Sequence, residues 1–435
     1  MITLLHLSDI HMGSGFAHGR LNPETGLNTR LEDFIAALTR CIDRALAEPV
    51  DLVLFGGDAF PDATPPPLVQ QALASQFCRL SAVGIPTVLL VGNHDQHAQG
   101  LGGASLSIYR TLGVPDVVVG DRLETHRIET VSGPVQIVTL PWLTKSTLLT
   151  RPETEGLSMA QVNDLLLDRL RVALEGETRR LDADIPAILL AHAMVDTATY
   201  GAERFLAAGR GFTVPMAMLA RPCFDYVALG HVHRHQVLCK QPLMIYPGSI
   251  ERVDFSEETE EKGYLLVQVG RGEATAEFCP LPVRPFKTIE LDVSNAEQPQ
   301  AMLEQAIAKA DIADAVVRCL YTLRTDQVDQ IDQAALDLAL AAAHSYTLQP
   351  EIQAQVSRRR LPELGTDSSL DPLAALGAYL ANRDDLSDLA EGMIAAAAAL
   401  TADETDDLPI DDTDLGLDDL DSLALEETVQ QLRLL

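Results

Sequence analysis

Five short apolar segments in the first 240 residues end abruptly in polar side chains. The segments are LLHL (4–7), LVLF (52–55), TVLLV (87–91), AILLA (187–191) and YVAL (226–229). Nearly continuous apolar segments of this length are typical of central strands that are covered on both faces. Residues 31–48 and 67–84, which lie between the first three segments, have the apolar spacing of helices. This order predicts an α/β core with central β-sheets flanked by helices.

The polar residues that follow these segments are of the kinds that bind divalent metal ions. They are Asp9, His11, Asp58, Asn93, His94, Asp95, His192, His231 and His233. Ligands of open α/β sheets bind beyond the carboxyl ends of the strands, so we expect these side chains to meet in one crevice. The i, i+2 spacing of Asp9 with His11 points both side chains the same way in an extended segment, and His231 with His233 has the same spacing.

Each of these residues taken alone also has a plain structural reading. A single histidine at a strand end is commonly a hydrogen-bonded turn residue, and Asp58 after two glycines could cap a helix. The ordered series over five strand ends favours a metal centre instead. Two Asp, one Asn and four His exceed the ligands of one tetrahedral ion. Mixed nitrogen and oxygen donors suit Mn, Fe or Zn, so the series predicts two ions that share a bridging carboxylate.

Charge and cysteine usage narrow the class of protein. The formal net charge is −31, which argues against a freestanding nucleic-acid binder, because such proteins are basic. Any polyanionic substrate would need bound cations or a partner to supply positive charge.

The six cysteines are scattered without a C-x-x-C pair, which indicates a reducing compartment. No apolar stretch reaches the ~18 residues of a membrane span, and the first residues do not resemble a signal peptide, so we expect a cytoplasmic protein.

The C-terminal half reads as three further parts. Residues 284–356 predict a small α+β unit, and residues 365–402 predict two amphipathic helices that either dock on a partner or pack on that unit. Residues 403–435, with twelve acidic residues and one Arg, predict a disordered tail. The basic run at 358–360 could contact DNA phosphates or an acidic partner, or could be a solvated loop.

The ordered motifs D-x-H, G-D, G-N-H-D, H and G-H-x-H resemble the calcineurin-like metallophosphoesterase superfamily. Within it, YVALGHVHRHQVL (226–238) and IYPGSIERVDFSEETEEKGYLLVQV (245–269) are similar to the SbcD family, the nuclease subunits of SbcCD complexes. The likeness covers residues 1–270 strongly and fades after about 345. It implies that residues 1–283 form the metallophosphoesterase (nuclease) domain and that residues 284–356 form a capping domain. One departure is the loop AFPDATPPP, which lacks the Asp-Arg pair of many relatives.

The resemblance also assigns a role to each residue of the site. It implies one metal ion held by Asp9, His11, Asp58 and His233. It implies a second ion held by Asp58, Asn93, His192 and His231, with Asp58 as the bridge. It implies that His94 contacts the scissile phosphate and assists the leaving group, and that Asp95 orients His94. The expected cofactors are two divalent metal ions, most often Mn²⁺.

The function implied by the resemblance is that of a DNA nuclease subunit. Such a protein is a double-strand exonuclease and a hairpin or single-strand endonuclease in DNA repair, recombination and replication. Its partner is an SbcC-like coiled-coil ATPase, and it forms a homodimer within a heterotetramer, here through helices near 67–83 and 104–112. The sequence has no G-x-x-x-x-G-K-[ST] motif, so ATP dependence would come from the partner. Two alternatives are a stand-alone small-molecule phosphodiesterase and a non-catalytic assembly protein.

Overall fold

The computed structural model of the chain describes residues 1–97, 103–144, 154–201, 212–353, 372–381, 386 and 389–402. The chain divides into two units, Met1–Ala354 and Gln355–Leu435, and each is described by itself. The basic run at 358–360 and the acidic tail at 403–435 lie outside the described residues. None of the described helices is long and apolar enough to cross a membrane.

The first six-stranded sheet contains the N-terminal strand. Its strands, in spatial order, are β14 (Glu273–Pro280), β13 (Gly263–Gly270), β1 (Ile2–Leu7), β2 (Leu52–Phe55), β3 (Thr87–Leu90) and β4 (Val117–Gly120). Strands β1 to β4 run parallel, and β13 lies antiparallel to β1 and β14. The connecting helices are α1 (Thr29–Ala47), α2 (Pro67–Ser81) and α3 (Ser107–Leu112). The helices predicted at 31–48 and 67–84 are therefore confirmed, and three of their four ends differ from the prediction by one to three residues.

The second six-stranded sheet is formed by later strands. Their spatial order is β11 (Gln236–Lys240), β12 (Leu243–Tyr246), β10 (Tyr226–Gly230), β7 (Ala187–His192), β6 (Gly133–Leu140) and β5 (Glu124–Thr130). The four inner strands run parallel, and the two edge strands are antiparallel to their neighbours. Helix α4 (Met159–Thr178) precedes β7, and the short α5 (Met216–Leu219) precedes β10. A separate pair joins β8 (Met194–Val195) to β9 (Thr213–Val214).

The two sheets pack face to face, and helices cover their outer faces. Alternate residues of the strands fill the space between the sheets, with Leu4 and Leu52 on one side and Ile188 and Ala228 on the other. The side chains that point outward pack under α1 and α2 in the first sheet and under α4 in the second. Because both faces of the central strands are buried, the strands are apolar throughout. The prediction of central sheets flanked by helices is confirmed.

The backbones of the two sheets are in contact at the carboxyl ends of β2 and β10. A Cβ atom on Gly230 would lie 2.1 Å from the carbonyl oxygen of Gly56, so only glycine fits there. The ring of His6 also joins the two sheets, since it lies within hydrogen-bond distance of Tyr226 Oη (2.9 Å) and the Leu229 carbonyl oxygen (3.1 Å). Polar residues that follow the strands of one sheet are thereby brought next to those of the other.

A three-stranded parallel sheet follows, which we call the C-terminal module. Its strands are β15 (Phe286–Asp292), β16 (Val316–Arg324) and β17 (Ser345–Gln353), in that spatial order. Helix α6 (Pro299–Lys309) connects the first two strands, and α7 (Gln333–Ala339) precedes the third. Helix α7 is short because the chain turns after Leu340 and enters β17 at Ser345. The boundaries of the predicted domains stay predictions.

In the second unit the structure describes two helices, α8 (Pro372–Ala381) and α9 (Ala390–Ala402), which contact each other. Their sequences, PLAALGAYLA and AEGMIAAAAALTA, are apolar on nearly all sides. The expectation of amphipathic helices is therefore wrong, because alanine and leucine leave neither helix a polar face.

The contact between Gly56 and Gly230 makes a testable prediction. Substituting Gly230→Ala should lower the free energy of unfolding by about 1–3 kcal/mol or more, because the methyl group would meet backbone that cannot move aside. Gly176→Ala is the control, since Gly176 lies in α4 with open space around it and should gain up to about 1 kcal/mol. Chemical denaturation measures both; equal stability of the two variants would contradict the prediction.

Candidate metal centre

The chain adopts unfavourable backbone angles where it enters the crevice between the sheets. Asp9, His11, Asp58 and His231 have φ values of 51°, 46°, 59° and 107°, in the left-handed region that favours glycine. Such residues cost about 1–3 kcal/mol each unless their surroundings fix them, and they cluster at functional sites. Here hydrogen bonds fix them in part: the amide of Asp9 donates to Gly57 O (2.9 Å) and that of His11 to Asp58 O (3.0 Å).

The residues predicted to bind metal come together in this crevice. Their ligand atoms form three overlapping clusters, and within each cluster the atoms lie within 4.8 Å of one another. The clusters are Asp9–His11–His233, His11–Asp58–His94 and Asp58–His192–His231. Asn93 joins them, since its side-chain oxygen lies 2.9 Å from both His192 Nε2 and His231 Nδ1. The first sheet supplies Asp9, Asp58 and Asn93, and the second supplies His192 and His231.

Asp58 lies at the centre of these clusters. Its Oδ2 atom is 3.3 Å from His192 Nε2 on one side and 3.7 Å from His11 Nε2 on the other. The Asp58 side chain is almost fully buried, so its charge needs a compensating partner. This position fits a carboxylate that is shared between two cations.

The spacing of the donor atoms fits divalent ions. Two neighbouring ligand atoms bound at about 2.1 Å to one octahedral ion lie about 3.0 Å apart. His11 Nε2 and His233 Nε2 are 3.0 Å apart, and Asn93 Oδ1 is 2.9 Å from each of two histidine nitrogens. Because all these atoms are nitrogen or oxygen, they suit a borderline or hard divalent ion.

Further hydrogen bonds orient several of the ligands. His192 Nδ1 donates to the Gly56 carbonyl (2.7 Å), which leaves Nε2 facing Asp58. Asp9 accepts from the backbone amide of His231 (3.1 Å to each oxygen) and from Ser8 Oγ (2.6 Å). Partners of this kind fix the tautomer and direction of metal ligands.

Glu257 is a residue of this centre that the sequence did not predict. Its Oε1 atom lies 2.6 Å from His233 Nδ1, and both side chains are buried. The segment SEETEEKG contains four glutamates, and nothing in the sequence distinguishes Glu257 from Glu258, Glu260 or Glu261. The folded structure distinguishes Glu257, because it is the only one of the four glutamates that is buried.

The buried charges shift one another's pKa values. Burial works to lower the pKa of His192, but Asp58 and Asp9 raise it to about 9. Burial likewise works to lower the pKa of His233, and Glu257 raises it to about 9. Burial raises the pKa of Asp9 to about 6 against the pull of nearby imidazoles. Histidine binds a metal ion as the neutral imidazole, so protonation of His192 and His233 opposes metal binding.

The predicted role of Asp95 needs correction. Its carboxylate accepts from the backbone amides of Asp58 (2.9 Å), Ala59 (3.0 Å) and Gly92 (2.9 Å). The ring of His94 instead donates through Nδ1 to the carbonyl of Pro61 (2.7 Å). Asp95 therefore holds together the loops after β2 and β3 that carry Asp58 and Asn93. It does not orient His94, because its oxygens are used by these backbone amides.

His94 lies at the wall of an open cleft next to the clusters. The cleft has a volume of about 190 Å³ and is lined by His94, Asp58, Asn93 and other residues of the site. The ring of His94 is only partly buried, and its centre is 5.0 Å from that of His11. Because Nδ1 is bound to Pro61 O, Nε2 is the ring nitrogen that remains for a molecule in the cleft.

The chain belongs to the calcineurin-like phosphoesterase family, whose sequence model matches residues 2–235. It is 28% identical over 308 residues to the uncharacterized metallophosphoesterase YhaO of Bacillus subtilis (strain 168). That match covers 70% of this chain and 66% of YhaO, slightly less than two thirds of the relative. The cleft of this family member contains candidate metal-binding residues.

Two solved structures show weaker similarity to the chain. The protein TT1561 of Thermus thermophilus is 14% identical, with 64% of this chain and 98% of that chain covered and a TM-score of 0.36. A dimetal phosphatase from Danio rerio is 13% identical, with 63% and 98% covered and a TM-score of 0.37. At these values the similarities carry no argument about activity.

The central position of Asp58 makes a prediction about metal content. We expect Asp58→Ala to lose most of its bound Mn²⁺ during gel filtration, because removal of a shared carboxylate weakens the binding of both ions. Asp62→Ala, an exposed position in the neighbouring loop, should keep the wild-type metal content. Elemental analysis of both proteins measures this. A metal content in Asp58→Ala equal to that of Asp62→Ala would refute the central role of Asp58.

Proposed function

We propose that this chain is the nuclease subunit of a cytoplasmic DNA-processing complex of the SbcCD type, with two Mn²⁺ ions in its cleft. The proposal that the chain is a hydrolase is supported by one observation. Two aspartates, an asparagine and four histidines lie together in one crevice. The reaction is hydrolysis of phosphodiester bonds in DNA, at double-stranded ends and at hairpin or single-stranded sites. Its roles are in DNA repair, recombination and replication.

Each of the two proposed ions has its own set of ligands, and the two sets share Asp58. One ion is held by Asp9, His11, Asp58 and His233. The other is held by Asp58, Asn93, His192 and His231. When bound, such a pair of ions lowers the pKa of a water molecule and neutralises charge on the phosphate oxygens.

The remaining residues of the site act on the substrate and on the ligands. In the protonated state, the His94 imidazolium donates its Nε2–H to the leaving oxygen and its Nδ1–H to the Pro61 carbonyl (2.7 Å); loss of the Nε2 proton leaves a neutral ring. The backbone amide of His94 donates to Asp58 Oδ1 (2.8 Å), so the loop that carries His94 also orients the shared carboxylate. Asp95 keeps this loop against the loop after β2. A displacement of either loop would separate His94 from the reacting phosphate.

We propose DNA as the substrate and an ATPase as the partner because residues 226–269 resemble the SbcD family. The sequence has no G-x-x-x-x-G-K-[ST] motif, so the proposed source of ATP dependence is an SbcC-like coiled-coil ATPase. Helices α8 and α9 are the proposed docking segment, because their apolar sequences suit contact with other apolar helices. With a net charge of −31, the chain also needs its ions and its partner to attract DNA.

The proposed homodimer uses helices α2 and α3. Three large apolar side chains on them are exposed: Leu68 (51%), Ile108 (51%) and Leu112 (71%). Apolar side chains exposed on these helices would be covered if the helices formed the contact between two copies of the chain. Two such chains and two ATPase chains would make the heterotetramer.

A stand-alone phosphodiesterase that acts on a small molecule is the second candidate. It is favoured by the strongly acidic chain and by the modest cleft of about 190 Å³. Such an enzyme would need neither the exposed apolar side chains of α2 and α3 nor helices α8 and α9.

Removing the His94 imidazole tests the proposed division of roles. We expect His94→Ala to keep its Mn²⁺ content, because His94 is not a proposed ligand. Its turnover should fall about 10²–10⁴-fold, because the variant has no imidazole to donate a proton to the leaving oxygen. His97→Ala, an exposed neighbour, is the matched control and should retain wild-type turnover. If His94→Ala also lost its metal, His94 would be a ligand and the assigned role would be wrong.

The choice of substrate separates the two candidates. Purified protein with Mn²⁺ should cleave hairpin DNA as well as bis-p-nitrophenyl phosphate, and an SbcC-like ATPase should stimulate only the cleavage of DNA. Deletion of residues 365–435 should abolish that stimulation and leave hydrolysis of the small diester intact. Cleavage of the small diester alone, unaffected by the ATPase, would favour the small-molecule phosphodiesterase.

A further inference from the structure

We propose that Glu257 is a positioning residue for His233 and that the turn carrying it couples the metal centre to the C-terminal module. The turn is the short 3₁₀ helix Phe255–Glu257 together with the flanking residues 252–254 and 258, which we call the linking turn. The inference deepens the proposed function, because it rests on His233 as a metal ligand. It concerns how firmly that ligand is held.

Glu257 is held from several directions inside the protein. It is 3% exposed, and its Oε1 atom lies 2.6 Å from His233 Nδ1. Its Oε2 atom accepts from Lys262 Nζ (2.7 Å), the amide of Val253 (3.0 Å) and Ser249 Oγ (3.4 Å). Both carboxylate oxygens therefore have fixed partners, and the carboxylate has little freedom to move.

Lys262 supplies the opposite charge for Glu257. The Lys262 residue is 1% exposed, and its ammonium group also donates to the carbonyl of His233 (3.1 Å) and to Glu260 (2.8 Å). Lys262 therefore binds both the backbone of His233 and the carboxylate that holds the ring of His233. With Nδ1–H donated to Glu257, the imidazole presents Nε2, and this atom lies 3.0 Å from His11 Nε2. A carboxylate that fixes the far nitrogen of a histidine sets the direction of the metal-binding nitrogen.

The linking turn also contacts the C-terminal module. The ring of Phe255 packs against that of Phe286 in β15, with centroids 4.9 Å apart, and the guanidinium of Arg318 in β16 lies 4.4 Å from the Phe255 centroid. Glu258 accepts from the amide of Thr288 in β15 (3.0 Å). The residues on both sides of Glu257 are thus anchored to the module, while Glu257 itself faces the metal centre.

Hydrogen bonds from Arg252 connect the linking turn to the chain segment that leads into β15. It donates to the carbonyls of Glu257 (3.2 Å), Glu260 (2.9 Å) and Arg284 (3.1 Å), and Arg284 lies just before β15 in the chain. A shift of the C-terminal module would therefore pull on the turn from Phe255, Glu258 and Arg252 together. Such a shift would change the distance between Glu257 and His233, and with it the affinity for the ion that His233 binds.

Metal titration of the full-length protein tests the positioning role. We expect Glu257→Ala to weaken binding of one Mn²⁺ ion about 10- to 100-fold and to leave the other ion unchanged, with a smaller effect for Glu257→Gln, whose amide oxygen can still accept from Nδ1. Glu261→Ala, an exposed glutamate of the same segment, is the control. Calorimetric titration measures both affinities, and imidazole ¹⁵N spectra of the Zn²⁺-loaded proteins report which ring nitrogen of His233 carries the proton.

The outcomes of this experiment are distinct. A weakened single site in Glu257→Ala, with a changed tautomer of His233 and partial rescue in Glu257→Gln, supports the proposal. Wild-type affinity for both ions with an unchanged tautomer overturns it. If Glu257→Ala does not fold, Glu257→Gln decides, and wild-type affinities and tautomer in that variant likewise overturn the proposal. Because the readout is metal binding, failure to cleave DNA would refute the nuclease proposal without affecting this result.

The coupling to the module is tested by variants outside the metal centre. Glu258→Ala and Arg318→Ala remove contacts between the linking turn and the module without touching Glu257. Each should weaken the same Mn²⁺ ion that Glu257→Ala weakens, by about 2- to 30-fold. Wild-type affinity in both variants would show that the module does not act on His233.

Discussion

The metal centre depends on the contact between two glycines, where the backbones of the two sheets meet. Gly56 follows β2 in the first sheet and Gly230 ends β10 in the second, and no side chain fits between them. Because the sheets touch there, His192 Nδ1 reaches the Gly56 carbonyl and the amide of His231 reaches Asp9. A wider separation would divide both ligand sets, because each set takes residues from both sheets.

Buried polar groups at this contact are stable only because they satisfy one another. Asp95 binds three backbone amides, Asp9 binds the His231 amide and Ser8, and Glu257 pairs with Lys262 and His233. Four residues of the site also have left-handed backbone angles, which these bonds help to maintain. The apolar core between the sheets offsets the cost of this arrangement, since it buries the strands that lead into the site.

The sequence predicted the strands and the converging ligands better than it predicted the contacts around them. Apolar segments that end in Asp, Asn and His place side chains at strand ends, and parallel strands bring those ends together. The family resemblance assigns Asp95 to His94, whereas the partners of Asp95 are amides of loops that only folding brings near. Glu257 was missed among four glutamates, since burial and not residue type selects it. Strand β17 is difficult to predict, because SYTLQPEIQ is polar and contains Pro350, as suits a sheet edge.

Anomalous diffraction from crystals grown with Mn²⁺ tests the account most directly. It predicts two peaks about 3.5–4 Å apart on either side of the Asp58 carboxylate. One peak should lie within bonding distance of Asp9, His11 and His233, and the other near Asn93, His192 and His231. A single peak, peaks elsewhere on the protein, or ligands that remain separated in the two sheets would contradict it.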